Sequence, residues 1–182
     1  MKRIVIGILS VLLSALFVVP VGSAATAAPY CGITWGSTPE TDAGWSVGAT
    51  LEDVRAGRHT CFDRLVLDVD GTANGYDVRY VSVVYAEGSG NPVPVAGGAD
   101  LQIRVRVPAY DSSGNPTYDF ANPRQLVPVS TFSTFEQVRW AGSFEGQTTI
   151  ALGVRARLPF RVFFLDGPGD GSRIVIDVAH RW

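Results

Sequence analysis

Two stretches of the sequence, DRLVLDV at residues 63–69 and SRIVIDV at residues 172–178, repeat one pattern. In each, an arginine is followed by three aliphatic residues, an aspartate and a valine. Because side chains of a β-strand point alternately to its two faces, this pattern predicts two half-buried strands. The side chains expected to face the core are Leu65, Leu67, Val69, Ile174, Ile176 and Val178.

The shared arginine and aspartate favour a second hypothesis, that the molecule has pseudo-symmetric halves. The two stretches would then occupy equivalent places in two facing sheets. The alternative is chance, since short valine-rich strands resemble one another.

The rest of the chain supports an all-β fold. Alternation of apolar and polar residues recurs from residue 47 onward, as in LQIRVRV at residues 101–107. Turn-forming runs of Gly, Asn, Asp and Pro separate these segments, and no segment shows a helical period. We therefore predict an antiparallel β-sandwich of two sheets with about eight or nine strands.

The N-terminus has the features of a secretory signal peptide. Lys2 and Arg3 precede an apolar run at residues 4–19, and Ala25 and Ala27 form a small-x-small cleavage signature. The predicted organisation is a signal peptide at 1–27, an irregular N-terminal arm at 28–46 and a β-sandwich domain at 47–182. The expected location is secreted, with association to the cell wall as a further option.

Charge and cysteine content narrow the class of protein. Loss of Lys2 and Arg3 with the signal peptide would lower the formal net charge from −2 to −4. An acidic domain is a poor candidate for binding nucleic acid, which requires a basic surface. Export and an even count make a disulfide between Cys31 and Cys61 the expected state of the two cysteines.

Six segments of the chain, taken in order, resemble the AMIN-like domain of secreted bacterial proteins. They are CGITWGSTPE, VRAGRHTCFDRLVLDVDG, YDVRYV, GSFEG, LPFRVFFL and SRIVIDV. That family is similar to the AMIN domain, a β-sandwich that occurs beside cell-wall amidases and localises its host by binding peptidoglycan or envelope partners. The resemblance implies a secreted module that binds the bacterial cell envelope, through peptidoglycan or an anionic wall polymer.

Residues for catalysis are sparse, so we expect neither an enzyme nor a bound metal or cofactor. His59 and His180 are the only histidines, and their separation fits no metal-ligand motif. A glycosidase with two carboxylates remains open, with Glu136 and Glu145 as the pair to test. Acidic turns at residues 68–71 and 166–171 lack the ligand spacing of a calcium loop.

One group of side chains is a candidate binding site for an anionic envelope component. Paired arginines two residues apart share a sheet face, and tyrosines in the long loop at 109–124 can stack on sugar rings. The candidate residues are Arg104, Arg106, Tyr110, Tyr118, Arg155 and Arg157. The alternative is a solvated face of arginines paired with carboxylates. The alternative function is a module that recruits or regulates another exported protein through a sheet edge.

Overall fold

The computed structural model describes residues 29–182, so the signal-peptide assignment to residues 1–27 lies outside it. Within the described residues there is no helix long and apolar enough to cross a membrane. A 3-10 turn at Tyr30–Gly32 is followed by eleven strands, more than the eight or nine expected. They are β1 (Glu40–Asp42), β2 (Thr50–Arg58), β3 (Phe62–Asp70), β4 (Tyr76–Val81), β5 (Val84–Tyr85), β6 (Pro92–Val93), β7 (Ala99–Val105), β8 (Phe135–Phe144), β9 (Gln147–Val154), β10 (Phe160–Asp166) and β11 (Ser172–Ala179).

Nine of these strands form two antiparallel sheets, which confirms the predicted sandwich. The five-stranded sheet has the order β1-β4-β7-β9-β8, and the four-stranded sheet has the order β10-β11-β3-β2. One hydrophobic cluster draws on both sheets and contains all six aliphatic side chains expected in the core. Each of the six has at most 4 % of its surface exposed.

The repeated stretches are neighbours in one sheet, so the hypothesis that they lie in two facing sheets is wrong. β3 pairs with β11, and Arg64 lies opposite Asp177 while Asp68 lies opposite Arg173. The physical reason is that antiparallel pairing sets the start of one strand beside the end of the other. The repeat therefore places each arginine across from the aspartate of the other copy, on the outer face of the four-stranded sheet.

The two cross-strand positions where an arginine lies opposite an aspartate form different ion pairs. Arg64 binds Asp177 through Nε and Nη2 at 2.7 and 2.9 Å, and Arg161 of β10 binds the same carboxylate at 2.7 Å. Asp68 instead binds Arg55 of β2. Asp177 is completely buried and holds two guanidinium groups in place.

Substitution of Asp177 by alanine is expected to lower the free energy of unfolding by about 2 kcal/mol. It would leave the guanidinium groups of Arg64 and Arg161 facing each other without a counter-charge. Their side chains are 23 % and 31 % exposed, so water offsets part of the loss seen for fully buried pairs. Asp68→Ala is the matched control, since its partner Arg55 is 51 % exposed, and should cost less than about 1 kcal/mol. Urea unfolding measures both, and equal losses would contradict the assignment.

The N-terminal arm and one long loop close the two open sides of the sandwich. On one side the N-terminal arm contains β1 and joins the other sheet at β10, where Phe160 N donates to Gly36 O and Val162 N donates to Glu40 Oε2. On the other side the long loop at 106–134 bridges β2 and β8, the edge strands of the two sheets. The irregular arm is thus ordered and includes one short strand.

A hairpin containing β5 and β6 covers the outer face of the five-stranded sheet. Val84 and Val93 of the hairpin form a second small core with Ala141 and Ala151 of the sheet. The segment that follows the hairpin passes so close to the sheet that a Cβ atom at Gly153 would overlap the carbonyl oxygen of Ala96. This face is therefore shielded from solvent over part of its area.

The disulfide between Cys31 and Cys61 is present, as predicted. Their Cα atoms lie 6.4 Å apart, which is within the range that a disulfide spans. It ties the N-terminal arm to the turn before β3.

Candidate functional site

The long loop at 106–134 builds a cleft at the end of the sandwich that contains the β8–β9 turn. The cleft has a volume of about 400 Å³. We call it the aromatic cleft, and define it by Tyr110, Tyr118, Phe120, Trp140, Asp119 and Ser143. Trp140 comes from the edge strand β8, and the other aromatic residues come from the loop.

Three aromatic rings form a cluster that shapes one wall of the cleft. Ring centroids lie 5.1 Å apart for Phe120 and Trp140, 5.2 Å for Tyr118 and Phe120, and 5.8 Å for Tyr118 and Trp140. The rings are tilted against one another, a favourable geometry for aromatic packing. Tyr118 is buried, whereas Phe120 and Trp140 keep part of their surface accessible.

Hydrogen bonds hold the loop in one conformation around the cleft. Thr117 Oγ1 donates to Leu51 O, and Trp140 N donates to Pro123 O. At the loop tip, Asp111 accepts hydrogen bonds from the side-chain and backbone nitrogens of Asn115 and from Ser113 N. These bonds lower the pKa of Asp111, because they favour its charged form. The cleft is thus preformed.

Burial, together with the negative charge of Asp53, raises the pKa of Tyr118 to about 12. The hydroxyl of Tyr118 therefore stays neutral at any physiological pH. The surface of the aromatic cleft is largely apolar, and its one exposed carboxylate is that of Asp119. Such a surface suits ring faces more than ions.

Trp45 and Arg106 extend this surface beside the cleft. The Arg106 guanidinium lies 5.6 Å from the centroid of the Trp45 ring and donates from Nη1 to the carbonyl oxygens of Ala43 and Gly44. Trp45 is 49 % exposed although it is a large apolar residue. Gly146 lies between Trp45 and the aromatic cleft. A Cβ atom added there would be 3.0 Å from the Trp45 ring, and its N–H donates to the hydroxyl of Tyr110 at 2.8 Å.

The structure brings three of the six candidate residues to this end of the molecule: Arg106, Tyr110 and Tyr118. Arg104 is only two residues from Arg106 in sequence, but the β5–β6 hairpin covers it. There its Nε donates to Glu87 Oε1 at 2.7 Å. The same carboxylate oxygen accepts from Thr149 Oγ1. Arg104 is therefore part of the contact between hairpin and sheet.

Arg155 and Arg157 lie at the opposite end, so the four arginines do not form one patch. Arg104 is paired with Thr149 on β9, and Arg155 follows six residues later, which is about 20 Å along a strand. Arg155 donates to the carbonyl oxygens of Ser133 and His180, and Arg157 donates to Ser37 O. Arg106 follows the end of β7, and Arg155 and Arg157 follow the end of β9, so strand alternation does not govern these pairs.

The residues considered for catalysis do not assemble a reactive site. Glu136 is the second residue of β8 and Glu145 follows its last residue, roughly 30 Å away along the strand, far beyond the separation of glycosidase carboxylates. His180 Nε2 lies 3.2 Å from Asp63 Oδ1, and Asp63 also accepts from Thr134 N. This buried contact joins β3, β8 and the end of β11. Residues 29–182 contain no group of three or more His, Cys, Asp or Glu side chains placed to hold a metal ion.

The candidate residues predicted from sequence did not include Trp45, Phe120 or Trp140, although Phe120 belongs to the aromatic loop at 109–124 that was singled out. No local pattern marks them, because whether an aromatic residue is buried or exposed depends on how the arm and the loop cross the sheets. The sequence did contain a signal for the hairpin that covers the sheet. The outward-facing positions of β8 and β9 carry small residues, which leave room for a covering segment: Ala141, Ala151 and Gly153.

Comparison with known proteins adds one match. The family model of the AMIN-like domain matches residues 49–180, from just before β2 to just after β11. No curated protein and no solved structure gives a significant match to the chain. Since the match spans both sheets and the aromatic cleft, the chain belongs to the AMIN-like domain family.

Proposed function

We propose that this protein is an exported, non-catalytic module that binds peptidoglycan in the bacterial cell envelope, and that the aromatic cleft holds the sugar rings. Membership of the AMIN-like family points in general to a peptidoglycan-associated module without catalytic activity. The family and the disulfide are consistent with an extracellular or envelope location.

The aromatic cleft is the observation that carries the proposal. The apolar face of a sugar ring packs against an aromatic side chain, while polar groups at the rim bind its hydroxyls. The cleft combines the accessible rings of Phe120 and Trp140 with the polar side chains of Asp119 and Ser143. A preformed cleft loses little conformational entropy on binding, which favours affinity for a short glycan.

Arg106 gives this surface a contact for the carboxylates of wall peptides. Its guanidinium is oriented by Trp45 and by two backbone carbonyls, and its side chain remains partly exposed. A held arginine loses less freedom when it binds a carboxylate than a mobile one does. Because the protein carries a net negative charge, this attraction is local and should weaken at high salt.

Cosedimentation of residues 28–182 with purified peptidoglycan tests the proposal. We expect the wild-type protein to pellet, and we expect Trp45→Ala and Tyr110→Ala each to weaken binding roughly 10-fold, which corresponds to about 1.4 kcal/mol. Tyr85→Ala is the matched control, because Tyr85 is an aromatic residue of similar exposure, 54 %, on the β5–β6 hairpin. Its binding should equal that of the wild type.

Two results would count against the proposal. If the wild-type protein stays in the supernatant at low salt, peptidoglycan is not the ligand. If Tyr85→Ala, Trp45→Ala and Tyr110→Ala all pellet like the wild type, the surface formed by the aromatic cleft and the adjacent Trp45 is not the site. Melting curves for each variant separate loss of the site from loss of the fold.

A further inference from the structure

The outer face of the four-stranded sheet contains a second pocket, with a different chemistry. It has a volume of about 240 Å³ and draws residues from all four strands. We call it the arginine pocket and define it by Arg55, Arg64, Arg173, His59, Gly57 and Leu165. No acidic side chain lines it among the described residues.

The register of the sheet explains why arginines meet here. Val66 and Val175 lie opposite each other at the centre of the strand repeat and form the floor. Arg64 and Arg173 flank this pair, because each copy of the repeat carries an arginine two positions before its central valine. Arg55 of β2 lies opposite Val66 and closes the third side.

The local charge is positive although the whole protein is acidic. Asp68 neutralises Arg55, and Asp177 is shared by Arg64 and Arg161. Arg173 has no carboxylate partner within residues 29–182 and donates only from Nη2 to the backbone oxygen of Asp166. Asp53 also lies close enough to act on Arg55, so the unpaired Arg173 is the main source of positive charge in the pocket.

The guanidinium groups are held in place before any ligand arrives. Asp68 and Asp177 each bind the side edge of an arginine, formed by Nε and Nη2, so the end edge of Arg55 and of Arg64 keeps unused N–H groups. Arg64 also packs over the Phe62 and Phe163 rings, at 5.2 and 5.4 Å from their centroids. Such fixed donors bind an anion with little loss of side-chain entropy.

One buried donor in the pocket lacks an acceptor. Arg173 Nε is shielded from solvent and makes no hydrogen bond to any described residue. An anion in the pocket would instead reach Arg173 through Nη1, which is neither buried nor hydrogen-bonded to a described residue.

We propose that the arginine pocket binds a phosphate group. Phosphate carries close to two negative charges at neutral pH, so the three lining arginines attract it more strongly than a carboxylate, which carries one. Its tetrahedral oxygens can also accept from donors on three different strands, while a planar carboxylate is satisfied by a single arginine edge. The proposal rests on the four-stranded sheet alone and stands or falls independently of peptidoglycan binding at the aromatic cleft.

Gly57 offers a way to block the pocket without touching an arginine. A Cβ atom added there would meet only His59 Nε2, at 3.9 Å, so a side chain fits and projects into open pocket space. Gly57→Val should fill the pocket, and valine is well suited to a strand. Gly57→Ala is the matched control, because it makes the same backbone change with little volume.

Isothermal titration of residues 28–182 with inorganic phosphate tests the proposal. We expect millimolar or tighter binding by the wild type, and weaker binding of acetate. Arg173→Gln and Gly57→Val should each weaken phosphate binding 10-fold or more, whereas Gly57→Ala and Arg124→Gln, an exposed arginine elsewhere, should not. Melting curves confirm that each variant is folded.

The titration decides whether phosphate binds in the arginine pocket, and two further assays identify the source of the phosphate group. No heat from phosphate up to about 10 mM, or equal affinity in the wild type and Gly57→Val, would overturn the proposal. If phosphate binds, competition by poly(glycerol phosphate) identifies a phosphate polymer as the source. Cosedimentation with phosphatidylglycerol vesicles, but not phosphatidylcholine vesicles, identifies a lipid headgroup instead.

Discussion

Replacing Leu67 or Ile176 with alanine is expected to lower the free energy of unfolding by about 2–5 kcal/mol in each case. Both side chains have 0 % of their surface exposed and belong to the core cluster between the two sheets. Each substitution removes the transfer free energy of the deleted methylene and methyl groups and leaves a cavity that packed neighbours fill only in part.

Thermal and urea unfolding of the two variants measures this loss. Val47→Ala is the control, because Val47 is 88 % exposed and its truncation should change stability by less than about 0.5 kcal/mol. Wild-type melting of both Leu67→Ala and Ile176→Ala would contradict the position of these residues in the core.

Removal of the disulfide should destabilise the protein by roughly 3–4 kcal/mol. Cys31 and Cys61 are 30 residues apart in sequence, and the bond between them limits the conformations of the unfolded chain. The double substitution Cys31→Ser/Cys61→Ser also frees the arm that closes the sandwich beside β10. We therefore expect proteolysis of the arm to accelerate in this variant.

Reduction of the wild-type protein is the matched control for that experiment. Under reducing conditions its urea midpoint should fall to that of the double variant, and reductant should leave the double variant unchanged. Intact-mass analysis of the exported protein supplies a separate check, since two alkylatable thiols without reduction would show that the bond does not form.

The fold class and the core were accessible from sequence because they depend on a local rule. Alternation assigns each side chain of a strand to one of two faces, and burial of the aliphatic face follows wherever a second layer covers it. Leu65, Leu67, Ile174 and Ile176 were assigned to the core in this way, and the structure confirms all four. The same rule cannot say which strands are neighbours.

The placement of the repeat shows that limit. DRLVLDV and SRIVIDV are equally compatible with two facing sheets and with two adjacent strands, since both arrangements bury the same residues. Pairing of β3 with β11 is decided by the path of all the strands between them. The consequence for chemistry is large, because adjacency is what brings Arg64, Arg173 and Asp177 to one outer face.

The candidate binding residues show the same limit at longer range. The two residues of each arginine pair bind different segments, and strand direction puts Arg106 and Arg157 at opposite ends of the five-stranded sheet. The β5–β6 hairpin, just before β7, supplies Glu87, which binds Arg104 of β7 and Thr149 of β9. Alternation within a strand does not show which carboxylate from another segment will cover an arginine.

The sequence by itself determined the all-β class, the residues of the core, the cysteine pairing and the resemblance to the AMIN-like family. Each of these follows from composition, from a period of two residues or from the order of motifs. Only the tertiary structure decided the strand order, the aromatic cleft and the arginine pocket. The physical reason is that these sites are made by side chains from segments distant in the chain, whose proximity is set by packing of the whole domain.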